Sequence, residues 1–248
     1  MIDRPLQNRV AVVTHGASEL GRGICAALER AGALVVGDGS TEHFPDTAAH
    51  AAHIDALLEQ VATTHGRLDI MVNTSVTTPA MAAETLPLEQ FMQGITLNLN
   101  AIFFGCQSAA RQMLRQSPMM TSGVRGAIIN ISSVAGVVAL PGHAAFSSAM
   151  AGVQAMTKVL ATEWGSQGVR VVGVGAGLSA ELAQTLSLRP PLPGSDTLSH
   201  RRIPPGALTT PFDVGQLVAY LAGDDARHIT GTTVYVDGGW LADGYWED

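Results

Sequence analysis

The sequence holds a single lysine, Lys158, among its 14 basic residues. Any step that calls for an ammonium group therefore has one candidate. Charged residues make up 14% of the 248 positions and aromatics 5%, against 46% hydrophobic. Net charge is −7, which excludes the basic footprint that nucleic-acid binding requires. No uninterrupted apolar run reaches about 18 residues, so no membrane span is expected. Met1 to Arg9 carries charges and a proline where a secretory leader needs an apolar stretch, and a cytoplasmic location is expected. The two cysteines, Cys25 and Cys106, lie in apolar helical stretches and read as buried thiols, not as a disulfide or metal ligands.

What is present is apolar. A mean hydropathy of +0.22 is high for a chain without a membrane span. Subunit interfaces are the expected outlet for it. Short apolar runs alternate with helical patterns. Strands are expected at Val10–Thr14, Ala33–Gly37, Leu68–Asn73, Gly126–Ser132, Val169–Val174 and Thr232–Val236. Helices are expected near 21–31, 53–65, 88–115, 144–165 and 211–221. That alternation implies a parallel sheet covered on both faces, in one α/β domain. Two regions break the rhythm. Gly39–Ala52 is short, polar and poor in strand formers, and residues 181–205 read as an insertion or lid. The helix from Ala149 to Trp164 is apolar nearly all round, so cover on more than one side is expected.

Several motifs, in order, carry a resemblance. Val10–Thr14 leads into a glycine-bearing turn; Gly66-Arg67-Leu68-Asp69 precedes a strand; Leu97-Asn98-Leu99 falls in the long helix. Asn130-Ile131-Ser132-Ser133 ends a strand, and Ile229-Thr230-Gly231 and Val236-Asp237-Gly238-Gly239 close the chain. Taken together they resemble the short-chain dehydrogenases/reductases. The resemblance runs nearly end to end and implies a Rossmann-type doubly wound parallel sheet in a single domain spanning 1–248.

The resemblance also assigns positions. In such enzymes a serine polarises the substrate oxygen, a tyrosine thirteen residues later exchanges its proton, and a lysine one turn on tunes that tyrosine. Ser133 matches the serine, but Phe146 stands at the tyrosine position and Met150 at the lysine position. Neither can move a proton, and such help is worth roughly 10²–10⁴-fold in rate. Lys158 lies more than two turns beyond Met150 and cannot substitute. Asn98 matches the water-orienting asparagine. As a remnant it can order a water without driving reduction.

The cofactor loop departs in the same way. The family pattern Thr-Gly-x-x-x-Gly-x-Gly falls on Thr14 to Gly21, with His15 and Glu19 at the first two glycine positions. Glu19 would set a carboxylate beside a diphosphate, and like charges about 4 Å apart cost on the order of 4 kcal/mol at an effective dielectric of 20. Thr14, Gly16, Gly21 and Asp38 remain as family-position remnants; Asp38 matches the acid that favours NAD. The Asn-Asn-Ala-Gly element reads Asn73-Thr74-Ser75-Val76, and Glu181 replaces the threonine expected to hold the nicotinamide amide. From Asp38 to Asp46 the span is too short for the helix and strand that usually help form the adenine pocket.

The expectation is a chain with no catalytic residues of its own and no bound cofactor or metal. It would support an active short-chain dehydrogenase paralogue that binds NAD, in a hetero-oligomer of the heterotetramer type. The pattern of losses is similar to that of inactive subunits in two-subunit dehydrogenases of aromatic hydroxyacyl-CoA compounds. The alternative is a cofactor-independent enzyme on the same fold, of lyase, hydratase or dehalogenase type, using Ser133, Asn98 and His143. His15 and Glu19 read as solvated loop residues. The tail from Trp240 to Asp248, with Tyr245 and Trp246, is weighed equally as an interface anchor and as cover for its own domain.

Overall fold

A computed structural model describes residues 4–39, 47–74, 80–120, 122–180, 182–183 and 203–242. Six parallel strands, β1 (Val10–Val13), β2 (Leu34–Gly37), β3 (Ile70–Asn73), β4 (Gly126–Ser133), β5 (Val169–Ala176) and β6 (Thr233–Val236), form one sheet in the order β2-β1-β3-β4-β5-β6. The helices are α1 (Glu19–Arg30), α2 (Thr47–His65), α3 (Leu88–Ile95), α4 (Ala101–Arg115), α5 (Ala144–Gly165) and α6 (Pro211–Ala222). This is the single-domain Rossmann-type architecture that the motifs imply.

Alternation along the strands builds two apolar layers. Val12, Met71 and Ile128 face α2, α4 and α5, packing with Ile54, Leu58, Ile102, Met113, Val153 and Leu160. Val13, Ile70, Val72 and Ile129 face α1 and α6, packing with Ile24, Leu28, Val214 and Val218. Local signals fix the helix starts. Ser18 caps α1 by accepting from Gly21 N, and Glu19 and Arg30 complement the helix dipole at either end. A capping box between Thr210 and Asp213, with Pro211 in the first turn, starts α6.

Two expectations need correction. The stretch 88–115 is not one unbroken helix: Thr96–Asn100 is a π-helical turn between α3 and α4, where Asn98 donates through Nδ2 to Gly94 O at 3.0 Å. Side chains that enter the ladder in this way are a known cause of such turns. Residues 47–52 are not irregular but open α2, which starts six residues before the expected His53. Within the single chain, α5 is covered mainly on its sheet side. Ser148, Ala151, Ala155, Lys158, Val159 and Thr162 stay exposed, as do Leu88 and Met92 of α3.

The N-terminal end of the sheet is closed by charge pairs. Arg9 meets Asp224 at 2.8 Å, and Arg67 meets Asp69 at 2.6 Å, while Asp69 also accepts from Val10 N. Arg170 is buried and donates to the carbonyls of Leu221 at 2.6 Å and Ile229 at 3.1 Å. Burial pushes its guanidinium down to about 10, against the pull of Asp224.

Most of the expected lid at 181–205 lies outside the described residues. Leu182 and Ile203, which are described, are buried in the core. Of the aromatic tail, Trp240 is 5% exposed and packs in the same core layer as α5, so that ring covers its own domain. Tyr245 and Trp246 lie outside the described residues. No described helix is long and apolar enough to cross a membrane.

Candidate functional site

Strand order reverses between β1 and β3, and in such sheets the crevice beyond the carboxyl ends of the strands at that point is where ligands bind. Here the two strand ends are tied together. Thr14 Oγ1 accepts from Thr74 N at 2.8 Å, and the Thr74 hydroxyl donates to Thr14 O at 2.8 Å. His15 follows with a φ of 49°, the left-handed turn that a glycine takes without strain. A side chain there costs roughly 1–2 kcal/mol. Its Nδ1 lies 3.3 Å from Thr74 Oγ1, so His15 is half-buried and bonded, not a solvated loop residue. Glu19 is exposed in the first turn of α1.

The remaining glycines of the loop are held by packing. A Cβ on Gly21 would lie 2.1 Å from the His15 carbonyl oxygen, and one on Gly16 would lie 2.7 Å from Gly37 Cα. Asp38 is no idle remnant. It is 5% exposed, and His53 Nε2 of α2 sits 3.1 Å from its Oδ1. His50, one turn earlier on the same helix face, is also buried. Burial pushes the His50 imidazole below its ordinary value; His15 and His53 add to this and Asp38 opposes it.

The positions assigned to chemistry lie at the ends of β4 and α5. Ser133 is buried, and its hydroxyl accepts from Ala135 N at 3.2 Å, which caps a short 3-10 turn at Val134–Gly136. Phe146 and Met150, 3% and 0% exposed, belong to the apolar layer. Asn98 is fully buried, and its amide donates to Gly94 O in the π turn. His143 is 2% exposed, with Nδ1 3.3 Å from Pro141 O. The polar partner of the Ser133 hydroxyl is a backbone amide.

Sequence reasoning missed Gln154. One turn after Met150, its Nε2 donates to Ser132 Oγ at 3.0 Å and Ser133 O at 3.1 Å, and its Oε1 accepts from Tyr235 OH at 3.1 Å. It thus ties α5 to the ends of β4 and β6. Burial and Asp237 push the Tyr235 phenol up, opposed by its bond to Gln154. The shared helix face of Phe146, Met150 and Gln154 was a usable signal. Behind the site, Asn73 Nδ2 donates to Asn130 Oδ1 at 2.9 Å, Cys106 Sγ donates to the same oxygen, and Asn130 Nδ2 donates to Thr157 Oγ1 at 3.1 Å. Burial pushes the Cys106 thiol up to about 12, so it stays protonated. Among the described residues, no group of three or more His, Cys, Asp or Glu side chains is placed to hold a metal ion.

A sequence profile described as "Enoyl-(Acyl carrier protein) reductase" matches residues 26–241. The chain belongs to the short-chain dehydrogenase/reductase family. It is 32% identical to D-threitol dehydrogenase of Mycolicibacterium smegmatis over 96% of this chain and 95% of that one. It is 29% identical to the 3-oxoacyl-[acyl-carrier-protein] reductase FabG of Haemophilus influenzae over 94% of this chain and 98% of the relative. A crystal structure from Burkholderia xenovorans, assigned to the same family, superposes with a TM-score of 0.80 at 26% identity, covering 96% and 98% of the two chains. The family is one of oxidoreductases, and these curated relatives are named as dehydrogenases and reductases.

Proposed function

We propose that this chain is the non-catalytic subunit of a hetero-oligomeric, NAD-dependent alcohol dehydrogenase, paired with an active member of its own family. One observation carries the reading: Phe146 and Met150 are buried in apolar packing at the positions where the family places its proton-exchanging tyrosine and its lysine. A phenyl ring and a thioether neither give nor take a proton, and Lys158 is exposed and remote along the helix. The Ser133 hydroxyl is engaged by Ala135 N and Asn98 by the π turn, which leaves each a structural task.

The dinucleotide belongs to the partner in this reading. A nicotinamide dinucleotide supplies the hydride in this family, and the residues here do not fit it. Asp38 is engaged by His53, the Thr14–Thr74 bonds bridge the strand ends at the switch point, and Glu19 places a carboxylate at the start of α1. An alcohol of the hydroxyacyl-CoA class is the substrate proposed for the complex, from the resemblance to inactive subunits of such dehydrogenases. The small, exposed face of α5 and the exposed Leu88 and Met92 of α3 are the proposed contact surface. Burial of Ser133 and His143 counts against the cofactor-independent alternative.

Co-expression with neighbouring genes followed by native mass spectrometry is the test. A stoichiometric complex with a family member that retains the tyrosine and lysine is expected, with turnover lost when that member's tyrosine is replaced. A homotetramer that ignores such partners overturns the reading.

A further inference from the structure

The N-terminal end of the sheet gathers more positive charge than its carboxylates balance. Arg9 precedes β1, Asp69 precedes β3, Arg170 lies at the start of β5, and Asp224 and Arg227 follow α6. Together they line one small cavity. Asp224 meets Arg9 at 2.8 Å, and Asp69 meets Arg67 at 2.6 Å. Among the described residues, Arg170 and Arg227 belong to none of the ion pairs. Asp225, next along the chain, is exposed and does not border the cavity. The guanidinium groups of Arg9, Arg67, Arg170 and Arg227 thus outnumber the carboxylates of Asp69 and Asp224, in a chain of net charge −7.

Arg170 supplies a donor with nothing to meet it. The residue is 6% exposed, and its Nε–H is buried without a hydrogen-bond partner. A guanidinium is planar, and Nε–H shares one edge with Nη2. Here Nη2 donates to Leu221 O at 2.6 Å and reaches Gly223 O at 3.5 Å. Gly223 borders the cavity, so the edge that carries the unpaired N–H turns toward it. A buried, charged donor left unmet is costly, and in native proteins such a group has a water or an ion beside it.

The walls limit what can enter. Met119 and Val124 contribute apolar surface, and the interior has room for about one particle of water's size. A phosphate or an organic acid is too large for it. The surplus of guanidinium groups favours an anion over a neutral water, because Coulomb attraction strengthens where solvent is excluded. Arg227 is exposed and so stands at the mouth.

We propose that Arg170, with Arg9 on the wall and Arg227 at the mouth, forms a binding site for one monovalent, halide-sized anion such as chloride. The bound ion ties the starts of β1, β3 and β5 to the turn after α6. This site lies at the opposite end of the sheet from Ser133 and does not depend on the subunit reading.

Thermal unfolding of the full chain in sodium chloride and in sodium gluconate, at equal ionic strength and fixed pH, tests it. Gluconate screens charge equally and is too large for the cavity. Tm is expected to rise saturably with chloride, to about 3 °C or more above its value in gluconate. Arg227→Gln removes a charge at the exposed mouth without uncovering the core, and is expected to lose about half of that rise or more. A crystal soaked in sodium bromide is expected to show an anomalous peak within about 3.5 Å of Arg170 Nε. Equal Tm in the two salts, a full rise kept by Arg227→Gln, or a cavity without a bromide peak overturns the proposal: the unpaired donor then meets a water only.

Discussion

The two ends of the sheet are built from different materials. At the N-terminal end, charges are paired or tied to carbonyls: Arg9 with Asp224, Arg67 with Asp69, and Arg170 with the backbone of Leu221 and Ile229. At the C-terminal end, where α/β sheets bind their ligands, side chains of this chain satisfy one another. His53 meets Asp38, Thr14 meets Thr74, Gln154 joins Tyr235 to Ser132, and Phe146 and Met150 complete the apolar packing. Both ends are sound as structure. In the reading proposed here, the second has exchanged groups that could face a ligand for groups that face the protein.

That contrast can be broken from either end. The largest effect is expected from the double substitution Phe146→Tyr with Met150→Lys. Met150 is fully buried, so an ammonium there loses its hydration without an evident partner, at a cost of several kcal/mol. Urea denaturation should show a loss on the order of 4 kcal/mol, and assays should show no gain of turnover. At the opposite end, Arg170→Ala leaves buried carbonyls without their donor and is expected to cost about 3 kcal/mol by the same measurement. Gly21→Ala sets a Cβ against the His15 carbonyl and should cost about 2 kcal/mol.

His15→Gly sharpens the comparison, because it relieves a left-handed residue while deleting the contact to Thr74. A net stabilisation below about 1 kcal/mol is expected, visible as a small rise in Tm. The smallest effect concerns pH. His50 is held below its ordinary value, so the fold favours its neutral form. That contribution is fully present above the unfolded histidine value near 6.5 and is lost as pH falls below it. Stability measured between pH 7.5 and 5.5 should therefore fall more in the wild type than in His50→Gln.

Much of this was legible in the sequence, and the exceptions share a cause. Strand order along the chain and the bounds of α5 follow from local apolar periodicity, which is a near-neighbour property. Register against family motifs placed Ser133, Phe146 and Met150 correctly at the ends of β4 and α5. The start of α2 was missed because Thr47 to Ala52, with four alanines in six residues, carries little periodic apolar signal. The π turn at Thr96–Asn100 depends on where Asn98 points, which the sequence does not state. The contacts that fill the C-terminal end join Asp38 to His53, Thr14 to Thr74 and Gln154 to Tyr235. These partners lie 15, 60 and 81 positions apart and become visible only once the fold brings them together. Asp38 shows the difference plainly: a remnant by register, it is a buried carboxylate with its own partner by structure.

The account rests on the claim that this chain contributes no cofactor chemistry of its own. Calorimetric titration of the purified chain with NAD and with NADP tests that claim without knowledge of any substrate. The account predicts no saturable heat up to millimolar dinucleotide. A one-to-one isotherm with a micromolar Kd for either cofactor would contradict it.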